Sequence, residues 1–84
     1  MDAEEIRKLL KEEKLVIGTE KTIKSLKEDK VLRVFISKNC PSYVKQEIVS
    51  NLSKAELVEL EQNNQQLGTI CKKPYSISVM SLLR

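Results

Sequence analysis

The segment from residue 18 to 24 has the residue types and spacing needed to bind a phosphate group. It reads Gly-Thr-Glu-Lys-Thr-Ile-Lys and follows a short apolar run, which predicts a turn that opens a helix. A helix N-terminus presents free backbone N–H groups and a partial positive charge, and Gly18 would let a ligand approach the backbone closely. Lys21 and Lys24 share a helical face, and Glu20 could accept a hydrogen bond from a base amino group. An ordinary solvated turn would use the same residue types.

Two further segments carry groups that suit nucleic acid. Asn39 can both donate and accept hydrogen bonds, as reading a base edge requires, but an Asn near Pro41 is equally typical of a turn. Lys72 and Lys73 form a cation pair that could contact phosphate or complement the dipole of a preceding helix. Tyr75 could stack on an unpaired base, or it could be a half-buried strand aromatic.

The groups that most enzymes and metal sites rely on are scarce. Histidine, the commonest general base and metal ligand, is absent. Cys40 and Cys71 are too far apart for a zinc-binding motif, and neither has a histidine partner for nucleophilic catalysis. There is no convincing carboxylate pair, P-loop or dinucleotide-binding glycine motif. We therefore expect no enzyme activity, no metal, no cofactor and no small-molecule substrate.

Apolar periodicity predicts helices and strands in alternation. Asp2, Thr19 and Ser42 are predicted helix caps, and Asn63 with Gln66 has the spacing of a capping box. The helices are predicted over residues 2–14, 19–29 and 42–53 with a short fourth helix after 63, and the strands over 15–17, 31–37, 55–61 and 75–83. This order predicts an α/β fold, a three-layer α/β/α sandwich with a four-stranded mixed sheet.

Length and charge set limits on the protein class. The 84 residues amount to one domain, 1–84, and the 15 basic and 12 acidic residues give a net charge of +3. That excess is compatible with a polyanionic partner without demanding one. The acidic start lacks the apolar region of a signal peptide, and no apolar run approaches the ~20 residues that span a bilayer. We expect a cytosolic protein with reduced thiols and no membrane partner.

The motifs together resemble the kink-turn-binding family of ribosomal proteins, and the L-thirty-e branch most closely. The resemblance extends in the same order from about Leu9 to Leu83. Its motifs are the Gly-x-x-x-Thr-x-Lys turn at 18–24, Asn-Cys-Pro at 39–41, Leu-Ser-Lys at 52–54, and Leu-Gly-Thr at 67–69 followed by Lys-Pro-Tyr at 73–75. Two departures stand out. Glu20-Lys21 replaces the Asn-Glu of the L-seven-Ae branch, and Lys72 stands where L-thirty-e commonly has glycine.

The resemblance implies both the fold and the partner. Family members are α/β/α sandwiches that grip a sharply bent RNA duplex, the kink-turn, through the turn before the second helix and two nearby loops. The RNA-binding residues that it implies are Gly18, Thr19, Glu20, Lys21, Lys24, Asn39, Lys72, Lys73, Pro74 and Tyr75.

Several partners are compatible with this resemblance. The first is ribosomal RNA of the large subunit in cytoplasmic ribosomes, with neighbouring ribosomal proteins. The alternatives are a stand-alone kink-turn RNA-binding protein and a regulator of the same fold that binds protein without RNA.

Overall fold

Helices and strands alternate along the whole chain in the computed structural model, which describes residues 1–84. The eight elements are α1 (Ala3–Leu9), β1 (Leu15–Ile17), α2 (Thr19–Lys27), β2 (Val31–Ile36), α3 (Ser42–Ser50), β3 (Glu56–Glu59), α4 (Asn64–Ile70) and β4 (Val79–Leu83).

The four strands form one mixed sheet in the order β1-β4-β2-β3. Strand β4 pairs antiparallel with both β1 and β2, whereas β2 and β3 are parallel. Because side chains alternate along β2, Val34 and Ile36 join a core cluster with α2 and α3, while Phe35 joins a second cluster with α1 and α4. The predicted three-layer sandwich, with β2 as a central strand covered on both faces, is confirmed.

Two helices begin with reciprocal capping boxes. The Asp2 carboxylate accepts from the backbone N–H of Glu5 at 2.8 Å, and Glu5 accepts in return from the N–H of Asp2. At α4, Asn63 accepts from Gln66 at 2.8 Å, and Gln66 accepts from the N–H of Asn63 at 2.9 Å. Both caps follow from sequence spacing, since each pairs an acceptor with a Glu or Gln three residues later.

The predicted caps of α2 and α3 are wrong. Thr19 and Ser42 are the first helical residues, and the capping positions are occupied by Gly18 and Pro41. Neither Gly18 nor Pro41 has a side chain that can accept a hydrogen bond, and no side chain caps either helix. The first N–H groups of α2 and α3 therefore remain available to a ligand.

Helix α1 is shorter than predicted and ends at Leu9 rather than Lys14. The N–H groups of Lys11 and Glu12 donate to the carbonyls of Lys8 and Leu9, three residues back, at 3.1 and 3.0 Å. These tight turns end the helix and lead the chain away from its axis before β1 begins at Leu15.

The next two helices also end early. Helix α2 finishes at Lys27 and α3 at Ser50, two and three residues before the predicted ends. Asp29 and Ser53, the predicted last residues, have φ of +56° and +50°. A right-handed helix does not continue through a left-handed residue, so both predicted ends lie beyond the helix.

The last two strands are shorter than predicted as well. Strand β3 loses residues at both ends, and β4 begins at Val79 instead of Tyr75. The backbone N–H of Ile77 donates to the carbonyl of Asn64 in α4 at 3.0 Å, so this stretch bonds to a helix start and not to a neighbouring strand. Tyr75 lies in an exposed loop, and its interpretation as a half-buried strand aromatic is wrong.

One buried polar pair joins α2 to β4. Thr22 and Ser81 are fully buried, and the Thr22 hydroxyl donates to the Ser81 hydroxyl at 3.0 Å. A buried hydroxyl without a partner is costly, so each residue satisfies the other. This pair fixes α2 over the strand at the centre of the sheet.

Breaking this pair one residue at a time should destabilise the protein more than removing both hydroxyls together. Thr22→Val and Ser81→Ala should each lower the free energy of unfolding by about 1–3 kcal/mol, because each leaves a buried hydroxyl unpaired. The double variant should lose less than the sum of the two. Urea denaturation measures all three, with the exposed Thr69→Val as the control, expected within about 0.5 kcal/mol of the parent. Strictly additive losses would contradict the coupling.

Candidate nucleic-acid interface

Strand directions bring the predicted RNA-binding segments to one end of the sheet. Strands β1, β2 and β3 all run the same way, because β4 is antiparallel to β1 and β2 and because β3 is parallel to β2. We call the end where these three strands finish and β4 begins the carboxyl end of the sheet. Backbone hydrogen bonds connect its loops, from the N–H of Gly18 to Val79 at 3.0 Å and from the N–H of Ser37 to Ser78 at 2.9 Å.

Gly18 has a backbone conformation that side chains do not tolerate. Its φ of +123° and ψ of 148° lie in a region that is essentially restricted to glycine. A Cβ atom placed there would meet no protein atom within 4 Å, so conformation and not crowding requires glycine. The first helical bond of α2 is donated by Thr22 to the carbonyl of Gly18 at 3.2 Å, which leaves three earlier N–H groups without an acceptor. This turn can therefore hydrogen-bond an anion at close range.

The side chains of α2 point in two directions from this turn. Thr19 is half-buried, whereas Glu20, Lys21 and Lys24 are exposed. Glu20 and Lys24 line a cleft of about 820 Å³ between α2 and α3, and Lys21 does not. Lys24 thus lies on the side of α2 that faces α3.

Asn39 is hydrogen-bonded to the start of α4. Its amide donates to the side-chain oxygen of Asn64 at 3.1 Å, and its own side-chain oxygen accepts from the backbone N–H of Asn64 at 2.8 Å. The residue is exposed and keeps one N–H and one acceptor site free. Asn39 therefore has a clear structural role, and its free N–H and free acceptor site could still hydrogen-bond to a base edge.

The basic pair follows a Schellman ending of α4. Lys72 has φ of +56°, and the N–H of Lys73 donates to the carbonyl of Gly68 at 2.9 Å while that of Lys72 donates to Thr69 at 3.0 Å. Both lysines are exposed. The left-handed residue turns the chain back toward the carboxyl end of the sheet.

Tyr75 is brought next to the α2 turn. Its side chain is 55% exposed, and it lines a cleft of about 270 Å³ together with Gly18 and Thr19. The loop lies tightly on α4, where a Cβ on Gly68 would collide with the backbone oxygen of Tyr75. Lys73 and Pro74 line a neighbouring hollow together with the tyrosine, whereas Lys24 lines neither this hollow nor the cleft beside Gly18.

One exposed aromatic was missed by sequence reasoning. Tyr43, in the first turn of α3, is 74% exposed and faces Glu20 and Lys24 across the cleft between α2 and α3. The available signal was its place beside Val44, which belongs to the buried face of the predicted helix. A large aromatic next to the apolar stripe at a helix start points to a contact surface.

The remaining reactive groups are poorly suited to catalysis. Burial raises the pKa of the Cys40 and Cys71 thiols, and nearby Lys45 and Lys73 only partly oppose this effect. The thiols are therefore protonated and weakly nucleophilic at neutral pH. No three His, Cys, Asp or Glu side chains are grouped so as to hold a metal ion. No helix has the length and apolar character needed to cross a membrane.

A model of the Ribosomal protein L7Ae/L30e/S12e/Gadd45 family matches residues 3–83. The chain belongs to this family.

Individual relatives agree with the family and with the L30e branch within it. The chain is 33% identical over 81 residues to the large ribosomal subunit protein eL30 of Sulfolobus acidocaldarius, covering 94% of this chain and 78% of the relative. It is 35% identical over 79 residues to eL30 of Trypanosoma brucei brucei, covering 92% and 75%. The resemblance inferred from the four motifs is confirmed.

A solved structure supports the fold independently. It is described as a protein with unknown function from Bacillus halodurans C, and it matches with a TM-score of 0.82 over 98% of this chain and 83% of that one. Sequence identity is 17%, so this likeness concerns the fold alone. The fold is thus supported both by the sheet topology of this chain and by a solved structure of low sequence identity.

Lys72 is the departure from the L30e pattern with a direct structural cost. A residue with a side chain pays about 1–2 kcal/mol in the left-handed conformation, which glycine adopts freely. Lys72→Gly should therefore raise the free energy of unfolding by roughly 0.5–1 kcal/mol, after the greater flexibility of glycine in the unfolded chain is subtracted.

Lys72→Ala is the matched control, because it removes the same charge and keeps the strained backbone. Both variants lose any attraction to the helix dipole, so their difference in urea denaturation isolates the backbone term. Equal stability of the two variants would show that a side chain at residue 72 causes no backbone strain in the Schellman turn.

Proposed function

We propose that this L7Ae/L30e family member is an RNA-binding component of the large ribosomal subunit that recognises a kink-turn in ribosomal RNA. The curated relatives with about a third of residues identical are named large ribosomal subunit protein eL30. The observation that carries the proposal is the shared end of the sheet, where the open α2 turn lies beside the exposed ring of Tyr75. A surface built from turns suits a bent RNA better than a regular duplex.

Phosphate binding would take place at the start of α2. The free N–H groups after Gly18 supply fixed donors, and Lys21 and Lys24 supply exposed positive charge on the same helix. Lys72 and Lys73 add charge at the far end of α4. With a net charge of only +3, the protein would owe its selectivity to shape more than to overall charge.

Base contacts would come from Tyr75 and from two polar side chains. The exposed ring can stack on an unpaired base, which a kinked RNA provides and a continuous duplex does not. Asn39 has a spare donor and acceptor for a base edge, and Glu20 can accept from an amino group. Thr19 and Pro74 would shape the walls between these contacts.

The ribosomal assignment implies the cytoplasm and contacts with other ribosomal proteins. A stand-alone kink-turn RNA-binding protein would use the same surface. A regulator that binds protein without RNA is the second candidate, and the cleft between α2 and α3 favours it. That cleft combines the apolar residues Ile23, Tyr43 and Val44 with a rim of both charges, a composition typical of protein contacts.

Affinity for bent RNA distinguishes these functions. In competition gel shifts, a kink-turn RNA should displace the protein from a plain duplex of equal length and charge, because only the kinked RNA offers unstacked bases at the α2 turn. Equal affinities would reduce RNA binding to non-specific charge attraction and would make the protein-binding candidate the better one.

Lys24 and Tyr75 should contribute to binding in different ways. Lys24→Ala should weaken binding to all RNAs similarly and lower the slope of log affinity against log salt by roughly 0.7–0.9, as expected for one lost phosphate contact. Tyr75→Ala should cost about 1–3 kcal/mol of binding free energy with an unchanged slope, because no charge is lost. The exposure of Tyr75 predicts an unchanged melting temperature for this variant.

Matched controls are available for both variants. Lys11→Ala removes an exposed lysine at the opposite end of the sheet, before β1 begins, and should leave binding unchanged. Tyr75→Phe keeps the ring and should bind like the parent. If Lys24→Ala retains both affinity and slope, the α2 end is a solvated turn. If Tyr75→Ala also binds normally, the loop contact is absent.

A further inference from the structure

Both exposed aromatic side chains of this protein lie beside the start of α2. The chain has only three aromatic residues and no tryptophan, and Phe35 is in the core. Tyr75, 55% exposed, lines the small cleft beside Gly18, and Tyr43, 74% exposed, lines the larger cleft between α2 and α3. Thr19 lines both clefts, so the start of α2 adjoins one exposed ring in each of them.

The cleft beside Tyr43 is continuous with the proposed RNA interface. Its volume of about 820 Å³ lies within the range of roughly 300–1,000 Å³ that is typical of small-ligand sites. Three of its nine lining residues, Thr19, Glu20 and Lys24, are already among the proposed RNA-binding residues. An RNA bound at the α2 turn therefore borders this cleft as well as the ring of Tyr75.

The apolar part of the cleft suits the flat face of a base. Ile23 and Val44 line it together with Tyr43, and both are nearly buried, at 8% and 9% exposed. Only the tyrosine ring therefore offers a large exposed apolar surface. Every nucleobase has a π-face that stacks on such a ring, whereas the sugar–phosphate backbone has none.

The charges that line the cleft favour a base over a phosphate. Three carboxylates and two ammonium groups are present, those of Glu20, Glu28, Glu47, Lys24 and Lys27. Only Glu28 takes part in an ion pair, so the other four groups are free to contact a ligand. Carboxylates repel phosphate but accept hydrogen bonds from the exocyclic amino groups of adenine, cytosine and guanine, which uracil lacks. The two lysines can contact the phosphates on either side of such a base.

We propose that Tyr43 is a second stacking residue of the RNA interface, which holds an unpaired base with an exocyclic amino group in the cleft between α2 and α3. This base site rests on the proposed RNA-binding function and adds to it a contact that adjoins the Tyr75 site at Thr19. Tyr43 then contributes to the selection of kinked RNA, because a continuous duplex has no unpaired base to place on either ring.

Tyrosine fluorescence reports this contact directly, because the chain has two tyrosines and no tryptophan. In Tyr75→Phe the only tyrosine is Tyr43, and a kink-turn RNA should quench its emission, whereas a plain duplex of equal length should not. Free N-acetyltyrosinamide in the same RNA solutions corrects for absorption by the RNA. Replacing the unpaired nucleotides of the kink-turn one at a time by abasic sites should restore the emission at one position.

Affinity measurements separate stacking from charge. Tyr43→Ala should weaken binding of the kink-turn RNA by roughly fivefold or more, the low end for one stacked base, with an unchanged salt slope. Tyr43→Phe keeps the ring and should bind like the parent. The matched control is Val49→Ala, which shortens another exposed side chain of α3 outside the cleft and should leave the affinity unchanged. The exposure of Tyr43 predicts an unchanged melting temperature for Tyr43→Ala.

The identity of the base is tested at the position that the abasic substitutions identify. Cytosine there should bind several-fold more tightly than uracil, because only cytosine can donate an amino hydrogen to the carboxylates of the cleft. The preference should disappear in Tyr43→Ala, which no longer holds the base in the cleft. Equal affinities for cytosine and uracil in the parent would overturn the site as proposed.

Failure of this base site can be told apart from failure of the proposed function. If the parent binds a kink-turn RNA no better than a plain duplex, both are overturned. If the parent prefers the kink-turn RNA while the emission of Tyr43 stays unquenched and Tyr43→Ala binds normally, only the Tyr43 site is overturned. The cleft between α2 and α3 would then remain free beside the RNA and open to a protein partner.

Discussion

The placement of β4 between β1 and β2 is the constraint on which the rest of this structure depends. Because β4 is antiparallel to both neighbours, β1 and β2 run in one direction, and β3 is parallel to β2, so the loops that follow these three strands converge. The backbone bonds from Gly18 to Val79 and from Ser37 to Ser78 continue the sheet pattern into those loops. The buried contact of Thr22 with Ser81 holds α2 over the same strand. Removing β4 would therefore separate the loops that form the candidate interface as well as open the core.

The parts of the fold that could be predicted are those that the chain encodes locally. The apolar run 34–36 identified a central strand, since a strand covered on both faces needs apolar side chains at consecutive positions. The Asn63 capping box was predictable because both partners lie within one helical turn. The caps of α2 and α3 were assigned one residue too late, because Thr19 and Ser42 have typical capping side chains while the backbone places Gly18 and Pro41 in that position.

The site was harder to predict because its geometry depends on contacts between distant segments. The order of the RNA-binding motifs was visible in sequence, but the pairing of Asn39 with Asn64, 25 residues away, was not. The strand preference of Tyr75 favoured a buried position, yet the close approach of its backbone to Gly68 keeps this segment in a loop on α4. Periodicity also gave no sign that the Ser37 hydroxyl is buried without a hydrogen-bond partner, because Ser37 only marks the end of an apolar strand in the sequence.

Three helices, α2, α3 and α4, begin at the carboxyl end of the sheet, and their N-termini differ in how they are capped. The start of α4 is closed twice, by its own capping box and by the side chain of Asn39. The starts of α2 and α3 are left open by a glycine and a proline, neither of which carries a capping group. A helix start without a capping side chain typically forgoes about 1 kcal/mol of stability, but only a few tenths of a kcal/mol where the cap is glycine, so the open start of α3 costs this small domain more than that of α2. Such a loss is recovered when an anion accepts from the free N–H groups, which means that binding and stability are linked at both positions. The distribution of caps therefore marks the two helix starts whose backbone N–H donors remain free, independently of where the lysines lie.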